Sequence, residues 1–179
     1  NTVSSLSPIA LCSKLTSLNA ANNQISDASA ASSMPILAEL LLDHNQLSDI
    51  SGLSGCSNLT TLTISNNSIS DLSPLASLGN LQTLDFSYNQ VSEIPSFPGS
   101  SAMQLIDGSY NSIASIDVLA KMPNIRYIYM DYNKITDVDA LADCSLLVQL
   151  NVYGNEIASV SALTDHDIIV NYDPTNSED

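Results

Sequence analysis

Apolar and polar positions along this chain follow a pattern that recurs every 22 residues. The stretch from Leu59 to Asn80 shows it most cleanly. Leu59, Leu62, Ile64, Asn67, Ile69, Leu72, Leu75 and Leu78 hold fixed places, and the series starts again at Leu81. Asparagines in the place of Asn67 return at Asn23, Asn45, Asn89, Asn111, Asn133 and Asn155, with no insertion or deletion between them. Two spacings are combined within each period. Pairs such as Leu62/Ile64, Leu84/Phe86 and Ile128/Met130 alternate with their neighbours, the period-2 signature of a short strand with one buried face. From Ile69 to Leu81 the apolar residues instead fall at every third position, which fits 3₁₀ turns better than an α-helix. Pro8, Pro74, Pro95 and Pro98 lie in these return segments and also oppose a long helix.

A strand and a return segment this short cannot bury an apolar face alone, so successive copies must stack. The run Leu59-x-x-Leu62-x-Ile64-x-x-Asn67-x-Ile69 is the leucine-rich-repeat pattern. The expected fold is therefore an α/β repeat. It is a leucine-rich-repeat solenoid with a parallel concave β-sheet and a mostly 3₁₀ or irregular convex side. Residues 1–179 read as a single solenoid: 1–14 a partial first repeat, 15–164 seven 22-residue repeats, and 165–179 a terminal strand and polar tail. The strand from Leu15 to Ala20 would open the sheet with an unpaired edge, and a cap or further repeat is expected before it. Pro95, Pro98, Gly99 and Ser100 make the fourth return segment the least regular, although Val91, Ile94, Phe97 and Met103 stay in phase.

Several residues that look chemical have a scaffold role in this frame. An asparagine amide both donates and accepts, so a column of Asn can satisfy backbone groups in stacked turns that water does not reach. Asp27, Asp49, Asp71, Glu93 and Asp137 sit four residues later, where an acid caps the first 3₁₀ turn. Cys12, Cys56 and Cys144 share one column and are expected to be buried core thiols. Cys12 and Cys56 stand two repeats apart, about 10 Å at the strand spacing, which is too far for a disulfide. His166 falls in the same column near the end, and His44 has no nucleophile beside it in the pattern, so no catalytic triad is supported.

Composition narrows the functions. Four Lys plus Arg against nineteen Asp plus Glu give a net charge of −15, a surface that repels nucleic acid and anionic lipid. With no Trp and two Phe, the core is built from Leu, Ile and Val. No apolar run approaches the ~18 residues of a membrane span, and the start at Asn1 does not resemble a signal peptide.

What distinguishes one repeat from another lies in the columns four, two and one residues before each Asn. Six of the seven tyrosines fall on this surface: Tyr88, Tyr110, Tyr127, Tyr129, Tyr132 and Tyr153. Tyr88, Tyr110 and Tyr132 occupy consecutive repeats, so their rings can stack at about 5 Å. Stacking that merely stiffens the solenoid is one reading; an exposed aromatic binding patch is the other. Asp85 and Asp107 share a column on adjacent strands, with Asp131 diagonally beside them. Two carboxylates about 5 Å apart suit glycoside hydrolysis or Ca²⁺, but an open, shallow face lacks the water-excluding pocket that catalysis needs. No catalytic residue, cofactor or metal is assigned, and the acids read as a negative rim attracting a basic partner.

The 22-residue period with N-x-I-x-D-(I/L)-x-P-L, seen from Asn67 to Leu75, is similar to the internalin-type bacterial leucine-rich repeats, over essentially residues 1 to 164. That resemblance implies a secreted or cell-surface protein that binds host surface proteins through its concave face, often with exposed aromatics. Tyr127, Tyr129, Tyr153 and the tyrosine ladder are the matching positions. The expectation is a non-enzymatic, monomeric, extracellular module that uses the concave face of repeats four to seven. It engages a protein ligand such as a host or cell-surface protein, with no nucleic acid and no membrane insertion. A carbohydrate-binding module, and a spacer without its own ligand, are the alternatives.

Overall fold

The structure, a computed structural model, describes residues 1–97, 102–164 and 167–173. Eight three-residue strands form one parallel sheet in chain order. They are β1 (Ser17–Asn19), β2 (Glu39–Leu41), β3 (Thr61–Thr63), β4 (Thr83–Asp85), β5 (Leu105–Asp107), β6 (Tyr127–Tyr129), β7 (Gln149–Asn151) and β8 (Ile169–Asn171). Register partners such as Leu40↔Leu62 and Ile106↔Ile128 lie one period apart, so equivalent residues stack in columns. The last step is shorter: Leu150 pairs with Val170, where the sequence pattern has already decayed.

The strands return through 3₁₀ turns at Ser29–Ser33, Ser51–Gly55, Ser73–Ser77, Asp117–Lys121 and Asp139–Asp143, with shorter ones at Ser7–Ile9 and Ser161–Leu163. Among the described residues no such turn joins β4 to β5. The turns begin where a side chain accepts the backbone N–H two residues on: Asp27 from Ser29, Asp49 from Ser51, Asp71 from Ser73 and Asp137 from Asp139. Ser5, Ser115 and Ser159 do the same with their hydroxyls in the repeats that lack the acid. Glu93 departs from the expectation. The residue two places on is Pro95, which has no N–H to offer, so Glu93 cannot cap there, and its segment makes no 3₁₀ turn among the described residues.

The asparagine column works as its chemistry requires. Asn133 Oδ1 accepts from Ile113 N at 2.9 Å, while its Nδ2 donates to Gly108 O at 2.9 Å and to Met130 O at 3.1 Å. The arrangement recurs at Asn45, Asn67, Asn89, Asn111 and Asn155. Even the start of the chain is in phase, since Val3 N donates to Asn23 Oδ1.

The core is a continuous column of Leu, Ile and Val between sheet and returns. One large–small exchange is notable: Phe86 projects into the space that Gly108 leaves empty. A Cβ on Gly108 would stand 2.5 Å from Phe86 Cζ and 2.8 Å from Met130 Sδ. Cys56 and Cys144 are buried in the core as expected, but Cys12 is exposed. Burial in that column comes from the repeats on both sides, and among the described residues Cys12 has a neighbour on one side only. The readings made for Pro98, Gly99, Ser100, His166 and the tail from Pro174 fall outside the described residues.

Candidate binding surface

Pleating turns the central residue of each strand into the core and its two neighbours toward the open face of the sheet. On β6, Ile128 is buried and Tyr127 and Tyr129 are half-buried on the other side. Tyr127 stands in register between Leu105 and Gln149, and Tyr129 between Asp107 and Asn151. Leu105 and Gln149 share this surface, in the column six before each Asn, where the residue pattern singles out Tyr127 alone. The column two before each Asn behaves differently from expectation. Ser65, Ser87 and Ser109 are buried there, whereas the larger Asp131 is half-buried and Tyr153 exposed.

The column one before each Asn leaves the strand altogether. Its backbone is left-handed throughout: φ is 57° at Asn22, 52° at His44, 53° at Asn66, 54° at Tyr88, 58° at Tyr110, 55° at Tyr132 and 69° at Gly154. The turn demands this geometry so that each N–H reaches the next repeat, as Tyr88 N reaches Ser109 O at 2.9 Å. Asn, His and Gly tolerate it, whereas a bulky side chain there costs roughly 1–2 kcal/mol. Three consecutive tyrosines hold it nonetheless. Tyr88 and Tyr110 stack at 4.1 Å between ring centroids and 11° between planes, and Tyr110 and Tyr132 at 4.5 Å and 22°. Tyr153 meets Tyr132 edge-on at 5.7 Å. The ladder stops at Gly154, where a Cβ would lie 2.6 Å from the Tyr132 ring. All four rings remain 40–49% exposed. Hydrogen bonding with Tyr88, and crowding by the phenols on either side, push the Tyr110 hydroxyl up to about 12.

The aspartates beside this ladder serve the turn as well. Asp85 Oδ1 accepts from Ser87 N and Oγ, and Asp107 Oδ1 from Ser109 N. In two repeats that lack that acid the preceding repeat supplies it across the stack: Asp43 accepts from Ser65 N and Asp131 from Tyr153 N. Asp85 and Asp107 are register partners. Burial pushes both carboxyls above the ordinary carboxylate range, outweighing the hydrogen bonds that pull the other way, and like charge on Asp43, Asp107 and Asp131 adds to it. Asp131 is raised for the same reason, by burial first. No Lys or Arg pairs with these four aspartates among the described residues. Nor do three His, Cys, Asp or Glu side chains gather there as a metal site would need. No helix among the described residues is long and apolar enough to cross a membrane.

Comparison with known proteins agrees with this geometry. Residues 37–77 match the family model described as leucine rich repeats (2 copies), and residues 80–101 match that of a leucine rich repeat. Internalin C2 from Listeria monocytogenes superposes with a TM-score of 0.93 at 28% identity, over 97% of this chain and 77% of that one. Internalin F from the same organism gives 0.81 at 26% identity, over 98% of this chain and 60% of that one. The ectodomain of the Arabidopsis thaliana receptor kinase GASSHO1/SCHENGEN3, solved with CASPARIAN STRIP INTEGRITY FACTOR 2, shares the fold with a TM-score of 0.77 at 19% identity. That match covers 93% of this chain and 22% of the receptor. No curated protein sequence matches.

Proposed function

Because this chain is an internalin-like leucine-rich-repeat protein, we propose that it is a non-enzymatic module that binds a protein ligand on the concave side of repeats four to seven. The proposed contact residues are Tyr88, Tyr110, Tyr127, Tyr129, Tyr132 and Tyr153, with Asp85, Asp107 and Asp131 among them. The observation that carries this reading is the exposed tyrosine ladder on a left-handed column. Stacking contributes roughly 0.5–1.5 kcal/mol per ring pair, and the backbone strain under a ladder tyrosine is of the same size. Stacking therefore does little more than offset the strain, and stability alone gives no reason to hold Tyr where Asn22 and Asn66 serve the same turn. Exposed, pre-ordered tyrosines are instead what interface hot spots use, since little side-chain freedom is left to lose on binding. Leucine-rich-repeat proteins are generally protein-binding scaffolds, and internalin and receptor-ectodomain neighbours favour an extracellular or cell-surface setting, here a bacterial surface or secreted protein.

The test replaces Tyr110 and Tyr132 by Asn, which suits the backbone, and Tyr129 by Ser. Binding of a partner captured on the immobilised wild-type chain is then followed alongside the unfolding midpoint. Lost binding with a midpoint lowered by only a few degrees is expected. Unchanged binding with a lowered midpoint would assign the tyrosines to the scaffold. Stacking faces also suit sugars, so a glycan array with reproducible hits abolished by the same changes would favour carbohydrate instead.

A further inference from the structure

We propose that the partner segment is basic, with a lysine or arginine seated against the outer face of Tyr88 and paired with the carboxylates that run beside the ladder, Asp85 and Asp107. This rests on the protein-binding reading above and adds the chemistry of the ligand. In the ladder, Tyr110 is covered on both faces by Tyr88 and Tyr132, and Tyr132 lies between Tyr110 and Gly154. Tyr88 stacks on one side only, and its other side looks toward Asn66, where the column changes from Tyr to Asn. That face carries no second ring among the described residues, and an aromatic face attracts a cation through its quadrupole.

The charges point to the same occupant. Asp85 and Asp107 each hold the turn through Oδ1, and among the described residues both bonds that Asp85 accepts from Ser87 go to that one oxygen. Both are more buried than a free surface acid, and the chain brings no cation to them. An apolar partner would complete their desolvation without compensation, and a sugar would bring hydroxyl donors but no countercharge. A guanidinium or ammonium supplies donors for the carboxylates and a charge for the ring. The overall charge of −15 further favours encounter with such a segment.

The experiment pans a displayed random-peptide library on the chain and measures the recovered peptides against two charge-matched variants. Asp85→Asn/Asp107→Asn keeps the Oδ1 acceptors for Ser87 and Ser109, whereas Glu93→Gln/Glu156→Gln removes as much charge away from the site. Lys- or Arg-bearing peptides should be enriched, and should weaken at least about fivefold on the first variant and on Tyr88→Asn, but less than about twofold on the second. Equal weakening on both charge pairs would reduce the effect to diffuse attraction and overturn the proposal. Peptides without basic residues that nonetheless depend on Tyr88, Tyr129 and Tyr132 would overturn it while leaving protein binding intact. Recovery of no peptide would count against both.

Discussion

Changing Tyr132 to Asn tests whether the ladder supports the fold or is held ready for something else. Tyr132 sits at φ 55°, stacks on Tyr110 at 4.5 Å and meets Tyr153 edge-on at 5.7 Å. Asn accepts the left-handed turn, so the change should recover most of the roughly 1–2 kcal/mol of strain. It also removes two ring pairs, a loss of about 1–3 kcal/mol in all at 0.5–1.5 each. The expected outcome is a net destabilisation of no more than about 2 kcal/mol, centred below 1. At about 2–4 °C per kcal/mol for a chain of this size, the midpoint should fall by only a few degrees. Tyr132→Ala loses the same pairs but keeps part of the strain, so it should be worse than Asn by about 1 kcal/mol. Denaturant melts followed by circular dichroism read both changes. A loss above about 3 kcal/mol for Tyr132→Asn, or no difference between Asn and Ala, would refute the reasoning.

The neighbouring Asn133→Ala should cost more, about 2–4 kcal/mol. Gly108 O and Met130 O keep second asparagine donors in Asn111 and Asn155, but Ile113 N is left buried without an acceptor. Asp137→Ala should cost about 0.5–2 kcal/mol by uncapping Asp139 N, while Glu93→Ala in the equivalent place should be silent in the same melts. Stability should peak at mildly acid pH. Asp85, Asp107 and Asp131 titrate above the ordinary carboxylate value, so their contribution is complete below it and lost as pH rises through their folded values. Asp27 and Asp71 titrate below it, and their contribution is lost as pH falls further. A denaturation midpoint that climbs steadily from about pH 4 to 8 would contradict this. Among the thiols, Cys56, pushed up to about 11 by burial, and Cys144 should react with an alkylating agent only on unfolding, as peptide mass mapping would show.

The sequence by itself determined the solenoid, its parallel sheet and its core. Identical spacing from Asn23 to Asn155 leaves stacking in register as the one way to align seven amides, and the amide chemistry then dictates its partners. Period also put Tyr88, Tyr110 and Tyr132 in one column. What period could not convey is anything that depends on the neighbouring copy or on the sign of a dihedral. The left-handed backbone under the ladder follows from the reach of each N–H to the next repeat's carbonyl, a contact one period away in the chain. Asp131 caps Tyr153 across a repeat boundary while Asp85 caps Ser87 within its own, because the N–H at that place in the turn can be reached by a carboxylate from either side. Cys12 occupies a core column yet is exposed, since burial is conferred by the adjacent repeat and not by the residue itself. Local pattern chose the columns; stacking between copies decided which of their side chains remain available to a ligand.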